Sequence, residues 1–178
     1  LHNSIIRHKI LTQTYTIEQI CTNVANNDIS DIFAGDIIQA NTPAISETSY
    51  AGGTASYMIL EINGLKAYGD TPPTGNHLVM FPYTSLGYRY MNGTNITTGG
   101  YKGSYMHTTV IPAVVTALNS AFGSHRKDTR ELLSTTINTS ATCSGYSGWT
   151  GASNSWEWVT CGARLLTELE MYGGTVWS

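Results

Sequence analysis

The sequence predicts an α+β fold, an antiparallel sheet carrying two to three short helices. Three observations predict it. Residues 16–24 and 109–122 place apolar side chains at helical spacing, residues 57–62, 77–83 and 156–161 read as strands, and hairpin-type connections join them with no βαβ alternation.

The first helix is the clearest local signal. Ile17, Ile20, Cys21 and Val24 recur at i, i+3, i+4 and i+7, with Thr16 as N-cap and Gln19 placed to close a capping box. Cys21 falls on the apolar stripe, where a thiol behaves as a small hydrophobe, and is expected in the core. A turn and a strand at 36–39 follow. Asn63-Gly64 between residues 57–62 and 65–68 predicts a two-residue hairpin, since both turn residues tolerate positive φ. "HLVMFPY" predicts a third strand stopped by Pro82.

The excursion "TSLGYRYMNGTNITTGGYKGS" is too long and too rich in glycine to be a simple connection, which marks it as functional or partner-facing. A second helix over 109–122 carries the stripe Val110, Ile111, Val114, Val115, Leu118 and Phe122, with Pro112 near its start and Gly123 as its C-cap. That stripe is expected to pack on a sheet built from 57–62, 65–68 and 156–160, with Leu118 in the interface.

A strand begins at "TRELLS", and a loop of Gly, Ser, Tyr and Trp follows it. In "WEWVTC" alternation puts Trp156, Trp158 and Thr160 on one face, predicting core or half-core tryptophans. A last helix is expected after Leu166, with Thr167 as N-cap, Glu170 as capping-box partner, Met171 as staple and Gly173 as stop.

Composition narrows the function. Only 12% of the residues are charged and the net charge is −3, so the phosphate-neutralising surface that nucleic-acid binding needs is not expected. The one basic cluster, "HRKDTR", contains an aspartate and reads as a solvated turn. No apolar run approaches the ~20 residues of a membrane-spanning helix. Of three cysteines, Cys143 and Cys161 bracket the Trp-rich loop, and whether they pair is open from the sequence.

No nucleophile elbow, phosphate loop or metal-ligand spacing occurs. His77, His107 and His125 lie on separate elements and are expected to be structural or surface residues. Asp36 and Asp70 follow glycines and read as turn formers. The sequons at Asn92, Asn95 and Asn138 are expected by chance in a chain rich in Thr and Asn. No catalytic residue, cofactor or metal is expected. Recognition remains: "SGYSGWTGASNS" combines Tyr146 and Trp149 with small polar residues, the composition of adaptable binding loops, and Tyr146, Trp149 and Asn154 are the candidate ligand-binding residues.

Eight segments in order, "TIEQI", "ISDIFAGD", "YGDT", "HLVMFP", "MNGTNITTGGYKGSYM", "LNSAFGSH", "RELLS" and "WEWVTCGARLLTELEMYG", resemble an uncharacterised domain family. That family occurs in tail, head-fibre and other virion proteins of phages of Gram-positive gut bacteria, and in related prophage and surface proteins. The resemblance implies a C-type-lectin-like domain over residues 16–178, preceded by an arm or linker at 1–15. It implies a non-enzymatic structural protein of the virion, contributing to host-receptor binding, with other virion proteins, further copies of itself and a host surface glycan or protein as partners. The alternative is a carbohydrate-binding module of a bacterial surface adhesin. The domain is expected to be incomplete at its C-terminus, with Trp177 leading into a further strand that covers Trp156 and Trp158.

Overall fold

The computed structural model describes residues 7–96, 98–136 and 155–166. The last expected helix and the candidates Tyr146, Trp149 and Asn154 lie outside the described residues, as do Cys143, Asn138 and Trp177. Within them the chain is α+β, with two antiparallel sheets and two α-helices.

Helix α1 (Ile17–Ala25) starts as its sequence predicts, with the Thr16 hydroxyl accepting from Gln19 N and the Gln19 side chain accepting from Thr16 N. Its inward residues are Ile20 and Val24; Cys21 is only half-buried, correcting the core assignment, because it sits at the edge of the apolar stripe. Strands β1 (Ile37–Thr42), β2 (Gly53–Ile62) and β3 (Leu78–Pro82) form the first sheet in the order β1-β2-β3. Along β2, Ala55, Tyr57 and Ile59 alternate inward and meet Leu11, Ile20, Ile38 and Phe122 in the main core.

The expected strand at 65–68 does not form. Asn63 does adopt φ 61°, but its N–H donates to His77 O at 2.9 Å and its Oδ1 accepts from His77 N at 3.0 Å. The turn therefore opens into a loop of successive turns, and β2 pairs with β3 instead. The segment before α1, expected as an arm, is docked from Arg7 onward. Ile37 N donates to Lys9 O, Leu11 is fully buried, and the Arg7 guanidinium grips the buried Asp36 carboxylate at 2.6 and 3.0 Å. Asp36 also accepts from Phe33 N, so it organises a turn as its sequence context predicts.

Helix α2 (Ile111–Phe122) is preceded by a π-helical turn, Met106–Val110. Pro112 supplies no N–H to the preceding turn, which removes one i→i−4 bond where the helix widens. The helical run begins earlier than expected because Ser104 acts as a cap, its hydroxyl accepting from His107 N. The α2 stripe divides between two cores. Phe122 meets Tyr57 edge-to-face at 5.0 Å between ring centres, whereas Val110, Ile111 and Val115 join Met106, Tyr105 and Ala163. Leu118 is half-buried and packs against the main core, on the face its stripe predicts, with Ala117 beside it enclosed.

Strands β4 (Thr129–Ser134) and β5 (Trp156–Cys161) pair with each other in a separate sheet rather than joining β2. Their inward residues include Leu133, Cys161 and Glu131. Trp158 is half-buried against the Tyr68 ring, but Trp156, opposite Ser134 at the sheet's end, is 54% exposed, which corrects its placement as core or half-core. Gly162 lets α2 approach, since a Cβ there would sit 2.8 Å from the Val115 side chain.

Candidate recognition surface

The excursion between β3 and the π-helical turn is irregular but fixed at both ends. Ser56 N donates to Thr84 Oγ1 and Thr84 N to Ser56 O, extending the sheet's bonding past β3. Thr48 Oγ1 donates to Leu86 O at 2.8 Å, and Tyr88 N to Ser49 Oγ. Gly87, at φ 89°, is pressed so closely on residues 48–50 that a Cβ would lie 2.7 Å from Thr48 Oγ1. At the far end Met106 N donates to Met91 O, Asn92 Oδ1 accepts from Tyr105 N, and Asn92 Nδ2 donates to Ile96 O.

Between these anchors Tyr88 and Tyr90 project, 81% and 77% exposed. Arg89 lies over the Tyr105 ring, 5.7 Å from its centre, and the Tyr105 hydroxyl donates to Glu47 Oε2 at 2.5 Å. The guanidinium is held more firmly protonated than usual, chiefly by Tyr105 and also by Glu47. Arg89, Tyr90, Gly93 and Tyr105 bound an open hollow of about 260 Å³. A second hollow of about 300 Å³, between residues 43–46 and α2, is lined by small and aliphatic residues with no charged or aromatic group.

The excursion returns against the end of β4, where Lys102 N donates to Ser134 O and Tyr101 N to Ser134 Oγ. Thr135 and Ser155 are bonded there through N–H to O and hydroxyl to hydroxyl. Thr135 and Ser155 thus lie beside the root of the excursion, and Tyr146, Trp149 and Asn154 lie outside the described residues.

Other sequence candidates have structural partners. His77 Nε2 accepts from Leu65 N and its Nδ1 faces Gly75 O. His125 pairs with Glu18, and Asp70 accepts from Arg130 Nε and Nη2. That guanidinium holds the Asp70 carboxyl below its ordinary range. The basic turn is internally paired, with Arg126 bonded to Asn119, Asp128 and Gly162 O.

The nearest approach to a reactive pair is Cys161 Sγ, 3.9 Å from His107 Nε2. His107 Nδ1 faces Lys102 O, which leaves Nε2 as acceptor toward the sulfur. Burial, reinforced by Glu131, pushes the Cys161 thiol up, away from the thiolate a nucleophile needs. Beside it, the Tyr101 hydroxyl is buried near the Leu165 amide without a well-formed hydrogen bond. Among the described residues no group of His, Cys, Asp and Glu is arranged to hold a metal, and no helix is long and apolar enough to cross a membrane.

No protein family, curated protein or solved structure matches this chain. Sequence reasoning singled out the excursion but missed Tyr88, Arg89 and Tyr90. The available signal was two tyrosines flanking an arginine directly after a glycine.

Proposed function

We propose that the chain is a non-enzymatic structural protein of a phage virion, a lectin-like domain of a tail, fibre or head appendage that contributes to host attachment. The observation that carries attachment is the pair Tyr88 and Tyr90, projecting into solvent from a segment hydrogen-bonded at both ends. Large aromatics cost free energy when left in water, and a rigid display of them lowers the entropy lost on binding a partner. Two helices against antiparallel sheets, with a long irregular excursion between β3 and the π-helical turn, support the lectin-like reading. The eight ordered segments that resemble phage virion domains support the virion as its location. The raised Cys161 thiol supports a role other than thiol catalysis.

Particle composition tests this reading. Mass spectrometry of gradient-purified phage particles should find the chain at a stoichiometry of structural copies. Its absence from particles, together with recovery from bacterial cell envelopes, would favour the adhesin module, which would use the same tyrosines.

A further inference from the structure

We propose that the hollow between Arg89, Tyr90 and Tyr105 is an anchor site for one apolar side chain of a partner protein, with an acidic residue next to that side chain paired to Arg89. The inference rests on the attachment reading and names the chemistry of the partner. Three observations lead to it.

The first is an uncommitted charge. Arg7, Arg126, Arg130 and Arg164 each hold a carboxylate oxygen at 2.6 to 3.0 Å. Among the described residues Arg89 has no carboxylate oxygen within 4.0 Å. It lies over the Tyr105 ring instead, and Glu47 accepts from the Tyr105 hydroxyl. A guanidinium stacked on a ring keeps most of its in-plane N–H groups for a carboxylate. Such a pair contributes little in open water but more where an adjoining apolar contact shields it from solvent and salt.

The second is the hollow itself. The rings of Tyr90 and Tyr105, Gly93 and the Arg89 stem give it an almost wholly apolar wall. At about 260 Å³ it lies below the usual range for an enclosed small-molecule site, roughly 300–1,000 Å³. It therefore suits a single side chain, as interface anchors do, while its open mouth lets the rest of an extended segment lie across it.

The third is composition. Tyr88, Arg89, Tyr90 and Met91 are four consecutive exposed residues, all of types enriched at protein interfaces. From Tyr83 to Tyr101 the one charged residue is Arg89, which matches the charge depletion of interface centres. A single cation on a chain of net charge −3 is too little to hold a phosphate backbone or an anionic membrane, each of which is bound through several basic residues.

A peptide array tests the site. Short synthetic peptides pairing Leu, Ile, Phe or Trp with an adjacent Asp or Glu would be printed beside counterparts carrying Asn, Gln or Lys in place of the acid, and probed with the purified full chain. At least one apolar-acidic peptide should be retained, and its amide counterpart should bind about tenfold more weakly. Arg89→Ala should erase that difference. At Gly93 a Cβ meets nothing within 4 Å and the backbone lies outside the positive-φ region, so Gly93→Trp fills the hollow without strain and should weaken retention of every peptide. Both variants should melt as the unaltered chain does.

No retention of any apolar-acidic peptide, equal retention of the amide or lysine counterparts, or retention indifferent to Gly93→Trp would overturn the anchor site. Binding to bacterial cells that survives protease treatment of the cells but not periodate oxidation would make the partner a glycan, so the peptide inference falls and attachment stands. If the peptides bind and particles lack the chain, the virion assignment falls and the anchor site stands.

Discussion

Around β1, β2 and β3 most side chains that leave solvent completely are apolar, with Leu11, Ile20 and Ile59 at or near zero exposure, and the polar exceptions Asp36 and Thr42 are paired with Arg7 and Tyr57. Around β4 and β5 the inward face includes a carboxylate. Glu131 is 4% exposed and is held by Arg164 Nε at 3.0 Å, Tyr68 OH at 3.2 Å and Thr129 Oγ1 at 2.9 Å. The first region is stabilised chiefly by area removed from water, and the second depends more on partners that must all be present. The excursion that carries Tyr88 and Tyr90 leaves the first sheet at Thr84, is held by the loop at 48–50 and returns against the end of β4, so both regions anchor what projects.

The largest effect should come from the first region. Ile59→Ala removes three buried carbons at a fully enclosed position and should cost about 2–5 kcal/mol in denaturant titrations. A cost below about 0.5 kcal/mol, typical of a surface site, would break the comparison on its apolar side. Next, Arg164→Ala leaves the Glu131 carboxylate enclosed with only hydroxyl donors and should cost about 1–3 kcal/mol. A double change with Glu131→Gln should recover part of it, because the stranded charge is then gone. Equal losses in the single and double variants would mean that Arg164 acts through packing alone.

Smaller changes sharpen the division. Thr16→Ala removes one side of the capping box on α1 and should cost about 1 kcal/mol, detectable as a lower denaturation midpoint with unchanged slope. The smallest effect concerns Asp70. Its folded-state carboxyl titrates below the ordinary value because Arg130 bonds it, so the pair contributes stability above the ordinary carboxylate range of about 4. That contribution is lost as pH falls through the lower folded value. In Arg130→Ala, carboxyl-detected NMR should find Asp70 titrating nearer its ordinary range, and an unmoved titration would assign the shift to the turn backbone.

What the sequence made legible was local. Thr16 and Gln19 lie three residues apart, and the helix start they specify forms as read. Gly123 ends α2 with φ 56° for the same reason. The partner of β2 was not legible, since Asn63 and Gly64 encode a turn without encoding that His77 closes it from fourteen residues away. Nor was the burial of Glu131, which depends on Tyr68 and Arg164 arriving from opposite directions along the chain. The excursion announced itself by length and glycine content. Which residues project from it depends on bonds to Thr48, Ser49 and Met106, contacts with no signature in the segment itself.

The most direct measurement replaces Tyr88 and Tyr90 together by alanine and follows adsorption of the purified chain to a panel of Gram-positive gut bacteria, at least one of which should bind the unaltered chain, beside its thermal melting. Both rings are mostly in water, so the melting temperature should be unchanged, as for surface substitutions within about 0.5 kcal/mol. Adsorption should be lost. Full adsorption by the double variant, or a collapse of melting along with it, would contradict a surface built for recognition on a separately stabilised foundation.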